Sequence, residues 1–331
     1  MGEESKGGAG MRKQMQSGST TRVRHGKYWT IPVAVALAVA AILVLSDGSS
    51  SAQAQTTSAV LVGAGDIASC DSTGDTATSK LLGSIAGTVL AIGDNAYKEG
   101  SLFQYNNCYG PTWGQFKART KPTIGNHEYR TSEASGYFDY FGAAAGVRGR
   151  GYYSYNRGAW HIVALDSECR YWATGFISGP SQCSSPKQAD MIAWLKADLA
   201  ANPTACTLAY FHHPRFSSGY GGNSLETQPI WDALYAARAD VVLSGHDHIY
   251  ERFARQNPNG ALDTSRGIRQ FTVGTGGVEH GGIGTIKANS QVRNTTAYGV
   301  LKLTLNSTSY SWKFVPEAGK TFTDSGTTNC T

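Results

Sequence analysis

The sequence predicts an α/β fold, and three observations carry that prediction. Strand-like and helix-like stretches alternate through residues 58–245, the pattern of sheets covered by helices. Five apolar runs end just before a residue able to bind a metal: 60–62 leads to Asp66, 88–92 to Asp94, 122–124 to Asn126, 207–211 to His212 and 241–243 to His246. Ligands in open α/β sheets collect outside the carboxyl ends of strands, so five such ends can converge on one pocket. Beyond Gly245 the helix signals stop, and 269–273, 298–305 and 310–314 read as strands.

Taken in order, residues 58–63 form a strand, 75–85 a helix with Ala, Leu and Ile at helical spacing, and 88–92 a second strand. The stretch 110–119 carries a weaker helical pattern. Residues 151–156 and 159–166 flank Arg157-Gly158 and read as a β-hairpin. The clearest helix is 186–201, which starts on Pro186 and sets Met191, Ile192, Trp194, Leu195 and Leu199 on or near one face. A further helix covers 229–238. With no repeat and no composition break after the N-terminus, 55–331 reads as a single domain.

Composition narrows the function. An apolar share of 40% with 11% aromatics in 331 residues supplies a sizeable core. The formal charge of +5 comes largely from residues 1–54, with six Lys/Arg and three Asp/Glu, which leaves 23 against 21 in the rest. That is no nucleic-acid footprint, and there is no basic stripe.

Residues 1–54 read as a signal peptide with a basic n-region. Arg12, Lys13, Arg22, Arg24 and Lys27 precede an apolar stretch at 31–45, and Ala52-Gln53-Ala54 is an Ala-x-Ala cleavage pattern. The alternative is an uncleaved signal anchor, because the apolar stretch approaches the roughly 17 residues of a spanning helix. The expected location is extracellular or, under the alternative, membrane-anchored with the domain outside. All six cysteines follow Ala54, and an even count in an exported chain points to disulfides. Cys169 and Cys183 bracket a polar loop and form the favoured pair; Cys70 with Cys108 and Cys206 with Cys330 would complete the set, other pairings staying open. None has the C-x-x-C spacing of a zinc site. Asn294-Thr295-Thr296 and Asn306-Ser307-Thr308 fit glycosylation sequons.

The ordered blocks Gly65-Asp66, Gly93-Asp94-Asn95-Ala96-Tyr97, Gly125-Asn126-His127-Glu128, His212-His213-Pro214 and Gly245-His246-Asp247-His248 resemble the calcineurin-like metallophosphoesterases, and within them the purple acid phosphatase branch. General members carry a His two residues after the first Asp, where this chain has Ala68. The branch instead places a Tyr after the second Asp, where this chain has Tyr97. The resemblance spans about residues 60–280; Ala209 stands where the family usually has Val, and there is no room for the extra N-terminal β-domain of the plant enzymes.

The resemblance implies a four-layer α/β/β/α sandwich of two packed mixed β-sheets flanked by helices, with 55–331 as the catalytic domain. It implies two metal ions: a ferric ion on Asp66, Asp94, Tyr97 and His248, and a divalent one (zinc, iron or manganese) on Asp94, Asn126, His212 and His246. Carboxylate and phenolate oxygens suit Fe(III), while imidazole and amide oxygen suit the divalent ion. The implied reaction is phosphomonoester hydrolysis by in-line attack of a metal-bound hydroxide, with Asp94 bridging and His127 serving the leaving oxygen. His213 and Arg215 are candidate substrate contacts, whereas His161 and His280 belong to no block and read as structural. The expected partners are small phosphorylated substrates, with no nucleic acid as a structural partner and no membrane unless the N-terminal segment stays. Two other readings remain open: a phosphodiesterase or nucleotidase on the same metals, and a catalytically inactive surface-binding protein that would lack a ligand or His127.

Overall fold

A computed structural model of the chain describes residues 58–168 and 186–331. The chain divides into two units, Met1–Gln53 and Ala54–Thr331. The first lies outside the described residues, and so do the cleavage pattern and the expected Cys169–Cys183 pair.

Two sheets make the second unit. The strands are β1 (Ala59–Ala64), β2 (Thr88–Ile92), β3 (Thr120–Thr123), β4 (Tyr153–Arg157), β5 (Trp160–Ala164), β6 (Cys206–Tyr210), β7 (Val241–Ser244), β8 (Tyr250–Phe253), β9 (Arg269–Val273), β10 (Ser290–Asn294), β11 (Gly299–Leu305), β12 (Ser309–Pro316) and β13 (Ser325–Asn329). The six-stranded sheet runs β13-β12-β11-β1-β2-β3 and the seven-stranded sheet β10-β8-β9-β7-β6-β5-β4. Within the first, β1, β2 and β3 are parallel; within the second, β5, β6, β7 and β9 are parallel. Both sheets are mixed, and β4 and β5 form the expected antiparallel hairpin.

The helices among the described residues include α1 (Gly74–Ser84), α2 (Leu102–Gln104), α3 (Ser135–Phe141), α4 (Pro186–Ala201) and α5 (Gln228–Ala236). The stretch 110–119 resolves into a 3₁₀ helix at Trp113–Arg119.

Successive side chains of a strand face opposite sides, so an unbroken apolar run means a sheet buried on both faces. Here Ile162, Ala164, Leu208, Tyr210, Val241 and Leu243 join the core shared with the six-stranded sheet. Their alternates Val163, Leu165, Ala209, Phe211 and Val242 pack against Met191, Leu195 and Leu199 of α4 and Ile230, Trp231 and Leu234 of α5. On the other side, Leu82 of α1 packs with Val62 and Val89. The layers are therefore helix, sheet, sheet, helix. Cross-sheet hydrogen bonds lock the register: Thr123 Oγ1 donates to the Leu165 carbonyl at 2.5 Å, Tyr153 to Pro122 at 2.6 Å and Tyr210 to Lys121 at 3.2 Å.

Two staples match the sequence expectation, Cys70–Cys108 and Cys206–Cys330. No helix among the described residues is long and apolar enough to cross a membrane.

Candidate metal centre

Five parallel strands from the two sheets end at one place. Asp66 follows β1, Asp94 follows β2, Asn126 follows β3, His212 follows β6 and His246 follows β7. Their loops are stitched together by backbone bonds: Asp66 N donates to the Gly93 carbonyl at 3.1 Å, Gly245 N to His212 at 2.9 Å and Gly65 N to Val273 at 2.9 Å. The approach is close enough to explain the glycines of the motifs. A Cβ on Gly125 would lie 2.2 Å from Asp94 Oδ1, and one on Gly245 would lie 2.6 Å from Asp66 Oδ2. Asp66, Asp94 and His246 themselves adopt positive φ of 58°, 48° and 71°, a region that costs a non-glycine residue free energy and recurs at functional sites.

Each buried carboxylate has one oxygen fixed and one aimed inward. Asp66 Oδ2 accepts from the His246 amide at 2.8 Å, while Oδ1 faces the Tyr97 hydroxyl at 2.8 Å, His248 Nε2 at 3.4 Å and His212 Nε2 at 3.9 Å. Asp94 Oδ1 accepts from the His127 amide at 2.8 Å, while Oδ2 faces His212 Nε2 at 3.1 Å, the Tyr97 hydroxyl at 3.1 Å and His127 Nε2 at 3.8 Å. The Tyr97 hydroxyl also lies 3.3 Å from His248 Nε2, and Asn126 Oδ1 lies 3.0 Å from His246 Nδ1. One ligand atom from each of Asp94, His212 and His246 falls within 4.8 Å of the others. Ala68 is fully buried, and the Tyr97 amide donates to its carbonyl at 2.7 Å, which ties the Tyr97 backbone to the loop after β1.

The imidazoles show that the arrangement fits a cation. His212 Nδ1 donates to the Ile92 carbonyl at 2.9 Å, and His248 Nδ1 to the Glu279 carbonyl at 2.8 Å. Each Nε2 of the neutral ring is then a lone pair turned toward carboxylate oxygen. His212 Nε2 is buried and finds no hydrogen-bond partner. Lone pair against carboxylate is repulsive unless a proton or metal ion sits between them. Titration shifts carry the same message. Burial alone would lower His212, but Asp94 and Asp66 raise it well above its usual value. His248, also opposed by burial, is raised to about 9 by Asp66. Burial would raise Asp94, yet His212 and His127 hold it well below the usual carboxylate range. Burial together with Asp66 and Asp94 pushes the Tyr97 phenol well up. Among the described residues, no Lys or Arg pairs with either aspartate.

The remaining candidates divide. His127 stands at the mouth, its Nδ1 donating to the Lys98 carbonyl at 2.6 Å and its Nε2 3.3 Å from Arg130 Nη2. His213 is buried, with Nδ1 2.7 Å from Glu168 Oε1 and its ring centroid 4.0 Å from that of His246. Arg215 is not brought to the cluster: its guanidinium donates to Gln228 and lies over the Phe216 ring. His161 bridges Asn156 and Asp198 at 2.8 and 2.7 Å, away from the centre, whereas His280 stacks on Tyr298 between Glu279 and Gly281, which both bond His248.

Sequence reasoning gave Glu128 no role, although it stands in a quoted block. Its buried carboxylate accepts the amides of Asp94 (2.9 Å), Asn95 (2.8 Å), Ala96 (3.4 Å) and Gly125 (2.8 Å), and the Tyr105 hydroxyl (2.9 Å). It therefore fixes the loops after β2 and β3 to each other. Burial and the charge of Asp94 push it up to about 7, while the amides favour its ionised form. Asp247 plays a similar part, accepting from Ser217 and from the Gly221 amide at 2.8 Å.

Residues 60–250 match the family model for calcineurin-like phosphoesterases. The chain belongs to the calcineurin-like phosphoesterases. Curated relatives within this family include purple acid phosphatase 23 of Arabidopsis thaliana, 33% identical over 185 residues, half of this chain and 37% of that protein. An acid phosphatase of Aspergillus ficuum is 27% identical over 224 residues, 53% of this chain and 36% of that protein. The match thus spans little more than a third of these relatives' length. Among solved structures, the purple acid phosphatase PPD1 of yellow lupin superposes with a TM-score of 0.62 at 19% identity, covering 83% of this chain and 54% of that one. GAP50 of Plasmodium superposes with a TM-score of 0.63 at 15% identity, covering 83% and 90%. At such identities the likeness speaks for the fold.

Proposed function

We propose that this chain is a binuclear metal-dependent phosphoesterase that hydrolyses phosphomonoesters. The observation that carries the proposal is the buried pair of inward-facing aspartate oxygens, met by the Tyr97 hydroxyl and two imidazole Nε2 atoms. Asp66, Asp94, Tyr97 and His248 would hold a ferric ion, and Asp94, Asn126, His212 and His246 a zinc, ferrous or manganous one. Bound there, the ions supply Lewis-acid charge to the phosphoryl group and lower the pKa of the attacking water.

The chain's own residues position and move protons. His127 has its Nδ1 proton committed to Lys98, so Nε2 is the atom that serves the leaving oxygen, as proton or hydrogen-bond donor when doubly protonated. Glu168 fixes His213, whose ring supports His246, which makes His213 a positioning residue in this reading. Arg215 has no substrate role in it. All seven proposed ligands and His127 are present, which argues against an inactive scaffold. Residues 1–54 direct export, and the two disulfides among the described residues suit an oxidising compartment.

Metal analysis of the purified protein, with an assay panel of phosphomonoesters and phosphodiesters, tests the reading. Two bound ions and faster monoester turnover are expected. Diester preference would favour the phosphodiesterase or nucleotidase reading, and absence of both metal and activity would end the proposal.

A further inference from the structure

Arginines gather at the end of the seven-stranded sheet opposite the candidate metal centre. β9 runs parallel to β7, so Arg269, its first residue, sits away from the His246 end. β8 is antiparallel to β9 and leads from the His248 loop toward Arg252 and Arg255 at that same far end. There Arg255 and Arg269, with Thr264, Gln291 and Thr328, line a cleft of about 370 Å³. Both sheets contribute walls, and Cys206–Cys330 staples the chain two residues beyond Thr328.

None of the side chains lining the cleft is a carboxylate. The Arg252 and Arg269 guanidiniums lie 5.2 and 5.0 Å from the Trp312 ring centroid. Three carboxylates are close, and each is engaged by other donors: Asp263, between Leu262 and Thr264 of the lining, accepts from the Tyr235 hydroxyl at 2.7 Å, from the Ser265 amide and hydroxyl at 3.1 and 2.9 Å, and from the Arg266 amide at 3.1 Å. Asp324 accepts from Arg252 at 2.7 and 3.2 Å, from Tyr250 at 2.8 Å and from Trp312 at 3.1 Å. Asp240 accepts the amides of Thr207 at 2.8 Å and Thr331 at 2.6 Å, and the Thr331 hydroxyl at 3.1 Å.

Arg255 and Arg269 are left with neutral acceptors. Arg255 Nη2 donates to Thr328 Oγ1 at 3.3 Å and to the Asn329 carbonyl. Arg269 Nη1 donates to the Phe253 carbonyl at 3.2 Å and to Gln291 Oε1 at 3.4 Å. The Nε of each is buried without a hydrogen-bond acceptor among the described residues. Burial pushes the Arg269 guanidinium below its usual value against the pull of Tyr310, and Arg252 and Arg255 add to the push. A guanidinium offers five donors in a planar fork suited to tetrahedral oxyanions.

We propose that this cleft binds a small tetrahedral oxyanion, a phosphate or sulfate group either free or carried on a small molecule, between Arg255 and Arg269. Thr264, Thr328 and Gln291 supply neutral polar contacts. Donors sunk in a cleft suit one small anion, whereas a nucleic-acid backbone is met by cations spread along an exposed face. The site is independent of the metal centre, which lies at the other end of the strands.

Crystals soaked in selenate, a sulfate analogue with anomalous scattering, should show a peak between the two guanidiniums. Calorimetric titration with inorganic phosphate tests the free anion, and methylphosphonate tests the carried one. Arg255→Gln and Arg269→Gln should each weaken the cleft event roughly tenfold or more while leaving metal content and phosphoester turnover unchanged. Arg255→Lys, which keeps charge without the fork, should fall between. Should an arginine variant fail to fold, Thr328→Val gives the same readout with a smaller loss. A cleft empty of selenate, or titrations identical in wild type and variants, would overturn the proposal. Binding of an oligonucleotide or acidic peptide in place of the small anions would do the same.

Discussion

The strands of the six-stranded sheet end in oxygen donors, Asp66, Asp94, Tyr97 and Asn126, whereas those of the seven-stranded sheet end in imidazoles, His212, His246 and His248. The oxygen half carries negative charge in a buried place and is held by backbone amides, Glu128 binding two of its loops. The nitrogen half is oriented by backbone carbonyls, with Ile92 holding His212 across the sheet interface and Glu279 holding His248. Neither sheet alone offers the full set proposed for two ions. The difference teaches that the centre belongs to the packing of two sheets, so what fixes the sheets together also fixes the separation of the ligands.

The comparison breaks most severely at Asp94, whose inward oxygen faces both halves. Asp94→Ala should release both ions together and lower turnover on the order of a thousandfold or more. Two ions retained at full occupancy, measured by mass spectrometry of metal content, would remove Asp94 as the shared ligand. His127→Ala leaves both halves intact and touches the leaving group only. Turnover on poor leaving groups should fall by about 10²–10⁴, with a smaller loss on activated esters and unchanged metal content. Equal loss across leaving groups would argue for a role other than proton donation.

Glu128→Gln sharpens the comparison by loosening the oxygen half without touching a ligand. The amide cannot accept from all of the N–H groups that converge on the carboxylate, so stability should fall by about 1–3 kcal/mol. Metal affinity or activity should fall by about 10–100-fold. An unchanged melting midpoint and unchanged affinity would show that other contacts hold the loops. The smallest effect on activity is expected from Tyr97→Phe. It should abolish a phenolate-to-iron absorption band and leave much of the turnover. Iron-loaded wild type without such a band would exclude the phenol as a ligand.

The convergence of Asp66, Asp94, Asn126, His212 and His246 was legible because each follows an apolar run, and apolar runs announce buried strands. The clearest helix was equally legible, since Pro186 and the spacing of Met191, Leu195 and Leu199 define its start and face. Other elements left no such mark. β10 and β13, with sequences SQVRN and SGTTN, are polar strands at sheet edges, where backbone pairing rather than an apolar face makes the strand. α3 is short and aromatic, a composition that reads equally well as strand. The direction of Arg215 depends on Gln228, and the work of Glu128 on amides some thirty residues earlier in the chain. Both are tertiary facts that no local pattern carries.

The direct test of the central claim is a metal count on the His212→Ala/His246→Ala double variant beside wild type, with the visible spectrum recorded on both. Two ions per chain are expected in wild type. One is expected in the variant, held by Asp66, Asp94, Tyr97 and His248 and retaining the phenolate band. Loss of both ions with the band, or fewer than two ions in fully loaded wild type, would contradict a centre assembled from an oxygen half and a nitrogen half.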